Sequence, residues 1–196
     1  MRRALQQLRG DTRGVTVIEF AIVAPVMLIL IMGLGDVLYQ GYVGAVLSGA
    51  VQKAGRDSGL EGANPTTIDA AVQTMVRRVI PGATFPTPVR KSYDTFTQVA
   101  PEPFVDGNNN ARYDPGECYT DQNANSQWDA DPGVTGQGGA SAVTLYTVTV
   151  NYRRLFPVAG LIGLPQDQSV SATTLLKNQP YSGQSTTTAV QRGTCS

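Results

Sequence analysis

Apolar and polar positions fall into four successive patterns along the chain. After an arginine-rich opening, residues 15–35 (VTVIEFAIVAPVMLILIMGLG) form an apolar run broken by a single charge, Glu19. As a helix this run would span about 31 Å, enough to cross a hydrocarbon core of about 30 Å. Pro25, inside the run, is expected to bend the helix without ending it. A cleaved secretory signal is the competing reading, but its apolar region is normally shorter and ends at a small-residue cleavage site. Beyond Gly35 the helical spacing persists, with Val37, Leu38, Tyr42, Ala45, Val46, Ala50 and Ala54 near one broad face, so the helix is expected to run through residue 57. Gly33, Gly41, Gly44, Ala45 and Gly49 place small side chains along it, where another helix could approach closely. A merely flexible juxtamembrane helix is the plainer alternative.

A Gly-rich break over residues 58–65 separates this helix from a second, amphipathic one over 66–80, whose Ile68, Val72, Met75, Val76 and Val79 recur at helical intervals. Pro81, Gly82, Pro86 and Pro88 end it. Residues 89–99, 142–153 and 169–177, rich in Val, Thr and Tyr, then read as strands. The expected fold is α+β: a long N-terminal transmembrane helix, then a small domain with one further helix and a three-stranded antiparallel sheet. The chain divides into a basic leader (1–14), a transmembrane and assembly helix (15–57), an extracytoplasmic domain (58–178) with an insertion at 101–133, and a Ser/Thr-rich tail (179–196).

Charge sharpens this picture. Fifteen basic and fifteen acidic residues cancel over 196 residues, which argues against a nucleic-acid partner. Arg2, Arg3, Arg9 and Arg13 precede the apolar run, and such a basic cap predicts that the N-terminus stays in the cytoplasm. The chain has no histidine, which removes the commonest general base and the usual imidazole zinc ligand. An enzyme is therefore not expected, and neither is a small-molecule substrate. The two cysteines, Cys118 and Cys195, would both lie beyond the membrane in an oxidising compartment and are expected to pair, stabilising the chain by about 4 to 5 kcal/mol on the chain-entropy model. Two free thiols are the alternative.

Glu19 carries the first functional signal. An ionised carboxylate inside an apolar span is costly unless a partner neutralises it. A positive group on a neighbouring chain could be that partner, fixing an axial stagger between subunits. A carboxylate snorkelling to headgroup water is the alternative. The signature Gly14-Val15-Thr16-Val17-Ile18-Glu19-Phe20 resembles the processing site of type IV-type pilins. The longer segment RGVTVIEFAIVAPVMLILIMGLGDVLY resembles the TadE-like minor pilins, or pseudopilins, of tight-adherence (Flp) pilus systems, and YTVTVNYRRLFP with SVSATTLLKNQPY is similar to that family's C-terminal strand pair. The resemblance implies cleavage between Gly14 and Val15 by a prepilin peptidase, which would free an α-amine on Val15 to pair with Glu19 of a neighbouring chain, assembly through Glu19 and Phe20, other pilin subunits as partners, and the inner membrane as location. The family also includes members that remain uncleaved.

The insertion carries the second signal. Residues 106–117 and, fifteen residues later, 121–132 both follow D-x-N-x-N-x-x-x-D. This is how a calcium loop surrounds a hard cation with oxygen. The first copy offers Asp106, Asn108, Asn110, the Arg112 carbonyl, Asp114 and Glu117. The second offers Asp121, Asn123, Asn125, Gln127 and Asp129, but has Pro132 in the last position, so Asp131 or an outside carboxylate would have to substitute. Ala111 and Ser126 replace the usual turn glycine. The pattern resembles EF-hand-like, dockerin-like loops without flanking helices and implies one or two Ca2+ ions; a solvated Asp/Asn-rich turn is the alternative. Phe104, Tyr113, Tyr119 and Trp128 are expected to pack the loops against each other or against the sheet, with a glycan-binding aromatic platform as the alternative. The leading expectation is a structural pilus-assembly protein; the rival is a calcium-dependent surface adhesin on an uncleaved anchor.

Overall fold

The computed structural model describes residues 15–58, 64–156, 158–161, 163–178 and 192–193. Helix α1 (Val15–Ser58) opens the described chain, and Pro25 lies inside it without ending it. Helix α2 (Pro65–Arg77) begins where the sequence supplies both a cap and a rigid first residue: Asn64 Oδ1 accepts from the amides of Thr66 and Thr67, and Pro65 follows the cap. Strands β1 (Val89–Tyr93), β2 (Thr120–Asp121), β3 (Val134–Thr135), β4 (Val143–Arg153), β5 (Asp167–Lys177) and β6 (Arg192–Gly193) follow, with a short helix α3 (Val158–Leu161) between β4 and β5.

The architecture is mixed α+β, but the main sheet has four strands where three were expected, in the order β3-β1-β4-β5. The added strand is the two-residue β3, which sets Thr135 opposite Lys91 and Val134 opposite Ser92. A ladder that short carries no readable periodicity. A second, two-stranded sheet pairs β2 with β6. The strand expected over 89–99 stops at Tyr93, because Gln98 Oε1 accepts from the amides of Asp94 and Thr95 and turns the chain.

Contacts divide the chain into two compact units, one of Met1–Tyr42 with Arg153–Gln168, the other of Val43–Tyr152 with Ser169–Ser196. In the first unit the apolar side chains of α1 from Val17 to Leu38 stand exposed. Phe156 packs on Gly35, where a Cβ would meet its ring at 2.9 Å. Asp36, 7% exposed, is held by Arg154, whose Nη1 donates to Oδ2 at 2.5 Å.

The second unit holds the core. There α1 buries Val43, Leu47, Ala50, Val51 and Ala54, and α2 buries Ile68, Val72 and Val76. Strand β4 buries Thr144, Tyr146, Val148, Val150 and Tyr152, every second residue, as a half-covered strand should. Its other face pairs Thr147 with Thr173 and Thr149 with Ser171 through their hydroxyls. The buried stripe of α1 matches the expected one at Ala50 and Ala54 and differs before them: Val37, Leu38, Tyr42 and Ala45 are exposed, and Val43, Leu47 and Val51 join the core. Gly44 and Gly55 accommodate β5 rather than a second helix, with Val170 and Thr174 at 3.9 and 3.0 Å from a Cβ built on them. Gly33, Gly41 and Gly49 face open space.

Candidate functional sites: the helix start and a two-fold pair of loops

Gly14 lies outside the described residues, and α1 begins at Val15. Glu19 and Phe20 stand on the first turns of an exposed apolar helix, Phe20 at 70% exposure. Among the described residues one helix, Thr16–Ser58, is long and apolar enough to cross a membrane, and its most apolar stretch is wholly exposed. An exposed surface of this length in Val, Ile, Leu, Met and Phe has no stable place in water.

The second site lies in the 101–133 insertion. In the first loop, both oxygens of Asp106 accept backbone amides, Oδ1 from Asn110 at 3.2 Å and Oδ2 from Ala111 at 2.7 Å. Asn108 Oδ1 accepts from the Asn110 amide, Asn110 Oδ1 from the Arg112 amide, and the Nδ2 groups of Asn108 and Asn110 both donate to Asp114 Oδ2 at 2.7 Å. Glu117 closes the ring: its Oε1 accepts from Gly107 and its Oε2 from Asp114. The Ala111 amide, and behind it those of Asn110, Asn109 and Asn108, hold the Asp106 carboxyl below the usual carboxylate range against a smaller opposing effect of burial.

The second loop repeats this bond for bond. Asp121 accepts from Asn125 and Ser126, Asn123 from Asn125, and Asn125 from Gln127; the Nδ2 groups of Asn123 and Asn125 donate to Asp129 Oδ2 at 2.8 and 2.6 Å. The closing carboxylate is Glu102, which accepts from Gln122 through Oε1 at 2.6 Å and from Asp129 through Oε2 at 2.9 Å, as Glu117 does for Gly107 and Asp114. Asp131, the candidate within the loop, is engaged elsewhere: its carboxylate accepts from Lys91, Tyr93 and the Gly133 amide. Burial raises the Asp131 carboxyl, but those donors outweigh it and leave it below its ordinary value. Burial first, then the Asp131 carboxylate, push the Tyr93 phenol up to about 12.

Glu102 and Glu117 occupy the same place in consecutive fifteen-residue repeats, four residues before Asp106 and Asp121. Each repeat therefore closes the loop of the other. The backbone obeys the same two-fold relation: Val105 donates to the Cys118 carbonyl and Thr120 to the Pro103 carbonyl, both at 2.8 Å, around a bridge between Phe104 and Tyr119. Across the axis the equivalent rings of Tyr113 and Trp128 stack at 4.7 Å, and Phe104 meets both edge-on at 5.9 and 6.0 Å. The four aromatic residues thus join loop to loop. Glu102 escaped sequence reading because counting started at Asp106; starting the repeat at the glutamate exposes it.

The two halves differ in burial. Glu102 and Asp121 are each 1% exposed, whereas the first loop lies largely open. Among the described residues no three His, Cys, Asp or Glu side chains form a metal-holding group, so any cation here would depend on asparagine and backbone oxygens as well as carboxylates. The donors are uniformly hard oxygens, the chemistry calcium prefers. Cys195 lies outside the described residues, and its expected bridge to Cys118 lies outside them with it.

Residues 14–56 match the family model described as TadE-like protein. The match covers Gly14 and nearly all of α1, and leaves the domain beyond it unmatched. No match is found among curated proteins or solved structures. With the exposed apolar helix, the similarity fits a membrane-anchored, pilus-related protein.

Proposed function

We propose that this chain is a structural, non-catalytic minor pilin or pseudopilin of a tight-adherence pilus system. It is anchored in the cytoplasmic membrane by α1 with its domain on the outer side. The observation that carries this reading is the coincidence of the TadE-like match with a helix whose most apolar stretch is unburied and which bears Glu19 at that apolar end. A prepilin peptidase cuts between Gly14 and Val15, and the freed amine answers Glu19 of an adjacent subunit. The test is Glu19→Ala in cells. Membrane insertion should survive, because removing a charge from an apolar span only favours it, while pilus assembly is lost. Normal pili in that variant would overturn the pairing. Intact mass of the working protein gives an independent answer: a chain still beginning at Met1 removes the cleavage step and leaves an uncleaved anchor.

Within this reading the insertion is a calcium-ordered module on the extracytoplasmic side. Asp106, Asn108, Asn110, the Arg112 carbonyl, Asp114 and Glu117 would hold one ion; Asp121, Asn123, Asn125, the Gln127 carbonyl, Asp129 and Glu102 would hold a second. The bound ion would offset the repulsion of seven acids against one arginine in residues 101–133. A Cys118–Cys195 bridge belongs to the same reading, since β2 begins two residues after Cys118 and pairs with β6, which ends two residues before Cys195 in the sequence. Calcium titration followed by Trp128 emission tests the ion, since its indole Nε1 donates to the Glu102 carbonyl beside the second loop. A flat response would defeat it.

A further inference from the structure

The geometry points to the β4–β5 connection, through its described residues 154–156, 158–161 and 163–166, as a second membrane contact: a wedge seated at the outer boundary between headgroups and acyl chains, beside the place where α1 leaves the bilayer. The inference rests on the membrane-anchor reading above. Two contacts fix the connection to α1, Phe156 on Gly35 and Arg154 on Asp36. Both fall where about 31 Å of apolar helix has been used and the hydrocarbon ends.

Three further observations name lipid as the occupant. The connection carries Leu155, Leu161 and Leu164 at 58%, 74% and 49% exposure, in the same compact unit as the exposed apolar surface of α1. That surface does not stop at Gly35, because Val37 and Leu38 remain 63% and 65% exposed. Between Glu19 and Lys53 the single charged residue is Asp36, and Arg154 from this connection neutralises it. A lone acid at membrane depth needs such a partner, whereas one in water does not. The connection also bonds to itself: the amides of Arg154 and Leu164 donate to the carbonyls of Gln166 and Ala159, and Arg154 Nε to that of Pro165. Backbone groups satisfied internally are what entry into a bilayer boundary requires.

The test places a tryptophan on the connection in the full chain, reconstituted in phosphatidylethanolamine and phosphatidylglycerol vesicles with brominated acyl chains. The L161W variant should lose at least about half of its added emission to bromine, as should L30W in the middle of the span, relative to wild type with Trp128 alone. L30W quenched and L161W unquenched would overturn the wedge while leaving the anchor standing. Neither quenched would overturn the anchor and the wedge together. An L161W emission that is blue-shifted, untouched by bromine and shielded from acrylamide would assign the leucines to a second copy of the chain, and would also overturn the wedge.

Discussion

Ala111 and Ser126 hold left-handed backbone conformations, φ 59° and 64°, at the turn position where calcium loops ordinarily carry glycine. A side chain there costs about 1 to 2 kcal/mol, so Ala111→Gly and Ser126→Gly should each stabilise the domain by about 0.5 to 1 kcal/mol once glycine's larger unfolded-state entropy is deducted. Urea unfolding of the two variants checks this; a loss of stability would mean that the strain is not localised there. Tyr93 offers a second test at this scale. Its folded pKa of about 12 exceeds the ordinary 10, so the phenol's contribution is complete below pH 10 and lost as pH rises toward 12. Tyrosinate absorbance should show one tyrosine titrating near 12, and Asp131→Asn should bring it down only in part, since burial is the larger cause. Asp131 runs the other way: its carboxyl is lowered, so its contribution is present above the ordinary carboxylate range and lost as acid carries pH through the lowered value. The Lys91–Asp131 pair is about two-fifths exposed and contributes little, about 0.5 kcal/mol at most.

At the scale of elements, the closing glutamates should be unequal. Glu102 is buried and Glu117 half-buried, so Glu102→Gln, which weakens one of two charge-assisted bonds in a dry site, should cost about 2 kcal/mol and Glu117→Gln less. Paired unfolding curves decide the order, and the reverse ranking would refute burial as the cause of the difference. The Asp36–Arg154 clamp makes a comparable claim. Arg154→Gln alone strands a buried carboxylate and should destabilise by about 3 kcal/mol, while adding Asp36→Asn should recover most of the loss.

These elements also mark what the sequence could convey. The apolar run, the amphipathic spacing of α2, the alternation of β4 and the D-x-N-x-N repeat are local patterns whose period or composition dictates conformation, and each was legible; the Asn64-Pro65 start of α2 was not, since Pro65 fell within the expected Gly-rich break. The face of α1 that turns inward was legible only at Ala50 and Ala54, since alanine, glycine and valine ring that helix, and β5 approaches it at Gly44 and Gly55 where no large apolar side chain marks the place. Glu102 was not legible, since its partners Gln122 and Asp129 lie twenty and more residues away.

At the scale of the whole molecule, calcium and the disulfide of the proposed function should act on the same segment. Removing calcium with a chelator should lower the thermal midpoint of the domain that follows the apolar span, and reduction should lower it further, with the apolar span itself unaffected. Calorimetry of the reconstituted chain measures both; a midpoint indifferent to chelation would return the insertion to an ion-free turn.

Because each fifteen-residue half lends its glutamate to the other, neither half is complete by itself. Excising either one leaves the survivor with an unlatched ring. A lone copy could be finished only by borrowing the missing acid from another polypeptide, so such a truncated chain should be prone to pairing through exchanged halves.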